Sequence, residues 1–344
     1  STVCQLMDLY CLYVRRLPLK PIQNGEQNGV SLIGMHIMNA LTGHQARTDS
    51  LGSHYTWAMA QALLAGVLFS LTAPLTQMAL GAFTPEFIAF MRAALSGMGS
   101  LMLAGYFEWQ LPSKRHCIKL IIAGSAVTLI FPYTLSVSLA QYQASDLGIL
   151  LAGLPLITAL MAAVLFKEKQ NKVFWGCIVI GTGLLLAFTI GQSSASIRFS
   201  SHWPVFAMLV SAGVGYSVGG QVAKSIGGFK TICWMTIFYL PLSLLGVGFE
   251  SVKHTHSFTY SHIDAILALL YLCFISQWIG FHFWYGAMAK VGISAAGQVQ
   301  LLQPFFTLMF SVPLLGAVLN AEQFLFAGLI SCTVVVAMKY RGQS

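Results

Sequence analysis

Ten apolar stretches run through this chain, and the last five repeat the first five with the charge signs of their flanks reversed. They fall at about 57–79, 86–106, 118–138, 146–166, 173–191, 204–223, 231–249, 264–287, 293–316 and 323–339. Each approaches the roughly 20 apolar residues that carry a helix across a bilayer core about 30 Å thick. No water is present there to satisfy backbone groups, so helices are expected, and continuous rather than alternating runs exclude a β-barrel. The expected fold is an all-α integral membrane protein with ten transmembrane helices as two inverted five-helix repeats. Composition agrees, because 8% charged against 56% apolar residues would leave a soluble fold covered in aggregating patches.

The formal charge of +8 reports topology and not a nucleic-acid footprint. With the N-terminus placed in the cytoplasm, fifteen lysines and arginines fall inside, and only Arg198 and Lys253 fall outside. That bias obeys the positive-inside rule and puts both termini on the cytoplasmic side of a cytoplasmic membrane. The seven cysteines show neither pairing nor metal-type spacing, and they read as small buried hydrophobes. Residues 1–56 are polar apart from a short apolar run near Val30 to Met38. They read as a disordered cytoplasmic arm, or as the product of a start placed upstream of Met35 or Met38.

The doubling shows in matched polar, glycine and proline positions. AGVLFS at Ala65 to Ser70 returns as AGVGYS at Ala212 to Ser217, an offset of 147 residues. The fourth and ninth stretches match at 149, pairing Ser145 with Ser294, Gly148 with Gly297, Pro155 with Pro304 and Thr158 with Thr307. Repeats of five spans, an odd number, must enter the membrane from opposite faces. The expected units are 57–191 and 203–340. Pro155 and Pro304 lie near mid-span, where a missing N–H and a bulky ring break a helix. Interrupted helices at equivalent points of inverted repeats point to a midplane binding site; a single such proline marks only a packing bend.

The chain resembles the drug/metabolite transporter superfamily, specifically its EamA-type carriers. The resemblance rests on GVLFSLTAP, FTPEFIAFMRAA, SLAQYQASDLGILLAGLPLITALMAAVLFKEK and WGCIVIGTGLLLAF in the first half, and on AMAKVGISAAGQVQLLQPFFTLMFSVPLLG in the second. It covers about Trp57 to Tyr340 and includes Arg92. It implies a ten-helix carrier working by alternating access. One position departs from the pattern: the glutamate that follows the fourth helix is Glu168, but its counterpart is Ala317, with Glu322 displaced later.

Polar side chains inside spans are costly, and each is a candidate for the solute pathway or for a structural bond. Arg92 could grip a carboxylate or phosphate through bidentate hydrogen bonds, or pair with Asp146. Gln300, Gln303 and Thr307 share one helical face, while their first-repeat counterparts include Leu151 and Leu154. The eighth stretch offers Gln277, Trp278, Phe281, His282, Trp284 and Tyr285, rings suited to a planar or cationic solute or to plain packing. His282, aligned with Tyr133, could relay protons. The candidate solute-binding set is Arg92, Tyr133, Gln277, Trp278, His282, Tyr285, Gln300 and Gln303, with Pro155 and Pro304 as helix breaks.

Glu86, Asp146, Asp264 and Glu322 all sit near outer ends, so a mid-span carboxylate for ion coupling is missing and exchange or facilitated diffusion is favoured. His254, His256 and His262 in an outer loop lack the further ligands of a metal site. GISAA at Gly292 to Ala296 suggests a hydrolase turn, but Ser294 is explained as the repeat partner of Ser145. The expectation is a non-enzymatic carrier of neutral or zwitterionic organic metabolites, without cofactor or metal. Its partners are the solute and the bilayer, with a homodimer left open and nucleic acid excluded. An intramembrane enzyme or receptor is the alternative.

Overall fold

The computed structural model describes residues 55–166, 171–191, 199–254 and 262–340. The expected N-terminal arm and His256 lie outside them. The described residues form helices in ten segments: α1 (Tyr55–Ala79), α2 (Pro85–Tyr106), α3 (Lys114–Ser138), the broken pair α4a (Ala144–Leu151) and α4b (Leu154–Phe166), and α5 (Lys172–Gly191). After these come α6 (Phe199–Ile226), α7 (Gly228–Lys253), α8 (Ile263–Val291), the broken pair α9a (Ile293–Val299) and α9b (Gln303–Leu315), and α10 (Ala321–Lys339). Strands are absent among the described residues.

The segments coincide with the ten apolar stretches, but they do not all qualify as spans. By length and composition six helices can cross a membrane, or seven if the bent α4a–α4b pair is counted as one. Residues 172–188, 300–315 and 321–337 form apolar helices of at most 17 residues. Over their full ranges α5 and α10 hold 20 and 19 residues, about 30 and 28 Å of helix at 1.5 Å per residue, close to the hydrocarbon thickness. Ten helical segments are thus present among the described residues, and six of them, or seven with the bent pair, are established as long and apolar enough to cross. α7 outruns its apolar stretch. It continues to Lys253 and carries Glu250, only 3% exposed, to a hydrogen bond from Thr84 Oγ1 at 3.1 Å.

Segments related by the sequence repeat pack on one another. α2 lies along α7, α4a along α9b, and α5 along α10, an arrangement compatible with a two-fold relation between the halves. The repeat also shows in a feature that hydropathy does not reveal. α3 widens into a π-helix over Ser125–Ile130, and α8 does so over Tyr271–Gly280. A shift of 149 carries the first range into the second. π turns are rare and concentrate at functional sites, because the extra residue leaves backbone groups to be satisfied from elsewhere. The two wide turns touch: Gln277 Nε2 donates to the Val127 carbonyl at 3.4 Å.

The backbone departs from regular α-helix before each of the two prolines, as a bend in α4 and as a tightened turn in α9. α4a and α4b meet at a bend of 40° immediately before Pro155. There the N–H groups of Ala152 and Gly153 reach back only three residues, to Ile149 and Leu150. In the second half, the turn tightens into a 3₁₀ segment at Gln300–Leu302 directly before Pro304. The cause is the same in each case. Proline cannot donate to the carbonyl four residues earlier, Leu151 in one repeat and Gln300 in the other.

Candidate functional site

Arg92 is placed by a well-started helix. Thr84 caps α2, accepting from the Phe87 N–H at 3.2 Å, and Pro85 occupies the first turn. Two turns on, the Arg92 side chain is 1% exposed. Its Nη2 donates to Ser276 Oγ and to Gln277 Oε1, each at 3.3 Å. Both acceptors belong to the π-helical turn of α8, and Ser276 is tied in turn to Thr72 of α1 at 2.9 Å. Nε and Nη1 of Arg92 make no hydrogen bond. Among the described residues no carboxylate stands within ion-pair distance of it.

The pairing of Arg92 with Asp146 is thus not formed; Asp146 instead accepts from Gln323 Nε2 at 2.7 Å. A cation taken out of water without a counter-charge costs several kcal/mol. α7, the repeat counterpart of α2, has Tyr239, Leu240 and Pro241 at the corresponding level, so the charge belongs to one half alone.

Beside the guanidinium lies a small internal space of about 10 Å³, room for roughly one water. Its walls combine elements of both repeats. Phe69 of α1 and Tyr216 of α6 face it as repeat counterparts, together with Phe131 and Phe281. The rings of Phe69, Tyr216 and Phe281 form one cluster, with centroids 5.0 Å apart for Phe69–Phe281 and 6.0 Å for Tyr216–Phe281. The helix breaks supply the rest. Leu151 and Leu154 line it from α4, and Gln303 lines it from α9. Gln303 is 4% exposed, and its Oε1 has no hydrogen-bond partner. Gln300 is 1% exposed; its amide approaches the Tyr216 hydroxyl, yet neither of its polar atoms makes a well-formed bond.

The structure therefore brings Arg92, Gln277, Gln300 and Gln303 to one place, against the breaks at Pro155 and Pro304. The other candidates stand elsewhere. Trp278 donates to Cys233 Sγ at 3.3 Å, and His282 stands edge-on to Phe229 with centroids 5.0 Å apart, so both face α7. Tyr285 donates to the Gly215 carbonyl at 3.0 Å and is fully buried behind Phe281. Tyr133 is half-buried near the Glu86 carboxylate. Thr72, Ser276, Tyr216, Phe69 and Phe131 line the space without having been singled out from sequence. The repeat itself pairs Phe69 with Tyr216 and could have found those two.

A larger cavity, about 500 Å³ and open at one end, lies between the N-terminus of α4a and the C-terminus of α9b. This is the end that the charge pattern assigns to the outside.

The sequence profile described as "EamA-like transporter family" matches residues 56–189 and again 199–339. A relative in Bacillus subtilis, named "Uncharacterized transporter YdeK", is 32% identical over 71% of this chain and 84% of its own length. A "Probable terminal-alkyne amino-acid exporter" of Streptantibioticus cattleyicolor is 21% identical, covering 77% of this chain and 87% of that one. A "Probable amino-acid metabolite efflux pump" of Salmonella typhimurium is 24% identical over 59% of this chain and 74% of that one. One solved crystal structure has the same fold, with TM-score 0.55 at 14% identity, covering 81% of this chain and 97% of that one.

Proposed function

From the premise that the chain belongs to the EamA-like transporter family, we propose that it carries small zwitterionic organic metabolites, amino acids or their relatives, outward across the cytoplasmic membrane. Alternating access between the two inverted halves is the mechanism. The observation that carries the reading is Arg92, a buried cation with two free donor atoms and no protein counter-ion among the described residues. A solute carboxylate supplies the missing charge, through the paired geometry that a guanidinium offers. The free amide oxygens of Gln303 and Gln300 accept from an ammonium or hydroxyl group. The Phe69, Phe131, Tyr216 and Phe281 rings receive an apolar side chain.

In the present conformation the space is too small for such a solute, so occupancy requires the halves to part. The breaks before Pro155 and Pro304 are where the shortened helices give way. A phosphorylated solute fits poorly, because a dianion in so dry a site needs more than one cation. The amino-acid class named for the two exporters above points the same way.

Protein reconstituted in liposomes tests the proposal. Saturable efflux of a labelled amino acid, reduced about ten- to hundredfold by Arg92→Gln, is the expected result, since a hydrogen-bonded charge contributes about 1.5–3 kcal/mol. The same substitution leaves the melting temperature unchanged or raises it, because it removes an uncompensated buried charge. Flux that survives the substitution, or a protein that fails to fold, would make Arg92 a structural residue.

A further inference from the structure

The cavity at the outer end is lined by the first-turn carboxylate of α4a, which has hydrogen-bond partners but no cationic one among the lining residues. Asp146 is 8% exposed and faces a space of about 500 Å³. One oxygen accepts from Gln323 and the carboxylate also meets the Gln143 backbone, but no lysine, arginine or histidine lies among the lining residues. The amides around it are already committed: Gln77 Oε1 accepts from the Ala144 N–H at 2.9 Å, and Gln323 Oε1 from the Asn320 N–H at 3.0 Å. Glu322 adds a second negative charge near Asp146.

Helix ends give the rest of the local field, roughly half a charge apiece. The N-terminal ends of α4a and α10 contribute positively, and the C-terminal ends of α9b and α1 contribute negatively. These four ends roughly cancel, leaving Asp146 as the one charge among the lining residues, with the exposed Glu322 nearby. Gly316, left-handed at φ 64°, turns the chain at the end of α9b and keeps the mouth wide.

We propose that this vestibule is a subsite for a primary ammonium group, with Asp146 as its counter-ion. It deepens, and rests on, the reading of the chain as a carrier of zwitterions. Asp146 lies five residues, about 7.5 Å of helix, from Leu151, which lines the central space. A zwitterion leaving Arg92 outward therefore meets Asp146 with its ammonium end. The two charges sit at successive stations on the pathway, and the solute passes from a cationic to an anionic partner. The chemistry it recognises is N–H donation from a cation, which distinguishes a primary amine from sodium or from a quaternary ammonium.

The test uses the full chain in nanodiscs of zwitterionic phosphatidylcholine, with labelled butylammonium as the probe in equilibrium dialysis. The wild type is expected to bind butylammonium saturably. Asp146→Asn should weaken binding at least tenfold, and Asp146→Glu less. Arg92→Gln should leave butylammonium binding in place, which separates this subsite from the central one. Competition by tetramethylammonium or sodium at equal concentration would overturn the assignment to a primary amine. Butylammonium binding unaffected by Asp146→Asn would overturn the subsite itself, while flux dependent on Arg92 would still stand.

Discussion

The breaks in α4 and α9 occupy equivalent places in the two repeats, yet they carry opposite chemistry. In α4 the residues at the bend are Leu151 and Leu154, and in α9 they are Gln300 and Gln303. Below the bend, the Thr307 hydroxyl donates to the Ser70 carbonyl at 3.1 Å as well as to Gln303 within its own helix. Its counterpart, the Thr158 hydroxyl, makes no bond; there Ser217 donates instead to the Thr158 carbonyl at 3.1 Å. Duplication thus supplied a symmetric hinge. Divergence left buried amides on one side of it, which the proposed function assigns to the solute, and an apolar wall on the other.

The largest expected effect comes from erasing that difference. Gln303→Leu gives α9 the residue of α4 and removes a buried acceptor, and solute flux in liposomes should fall about tenfold, the loss expected for one hydrogen bond of about 1.4 kcal/mol to a charged group. Leu154→Gln makes the opposite exchange and should change flux less. Equal losses from both would mean that the two breaks play the same part.

A smaller effect is expected at the prolines. Pro304→Ala restores a donor for the Gln300 carbonyl, lets the 3₁₀ turn relax and rotates both glutamines, so turnover should drop a few-fold. Pro155→Ala straightens an apolar stretch and should lower turnover less. Turnover unchanged in both variants would reduce the breaks to packing bends.

The smallest effect separates the two threonines. Thr307→Val removes an interhelical hydrogen bond and should cost about 0.6 kcal/mol of stability, read as a lowered melting temperature in detergent. Thr158→Val removes a hydroxyl that has no partner and should leave the melting temperature unchanged or raised. A larger loss at Thr158 than at Thr307 would reverse the comparison.

Much of this was legible from sequence, and for physical reasons. Proline at mid-span has one mechanical consequence, so Pro155 and Pro304 announced their breaks. A lone arginine in a hydrocarbon setting is costly enough to stand out, and the amides of α9 share a helical face. The aromatic residues of α8 were harder. Each residue inserted by a π-helical turn rotates the downstream side chains by about 100°, and no hydropathy pattern marks the insertion. Hence Phe281 faces the central space while Trp278 and His282 turn toward Phe229 and Cys233 of α7. Leu151 and Leu154 were legible only as apolar counterparts of Gln300 and Gln303, because an apolar residue in an apolar span gives no sign of which neighbour it faces. The cavity beside Asp146 arises from helix ends distant in sequence, and spacing along the chain does not show it.

One measurement tests the central claim most directly: an affinity cycle in which an amino acid and its carboxamide are each bound by the wild type and by Arg92→Gln. The account predicts that the wild type prefers the carboxylate by at least tenfold and that the variant binds both alike. A preference retained in full by Arg92→Gln would show that the solute's negative charge is held elsewhere, and would contradict it.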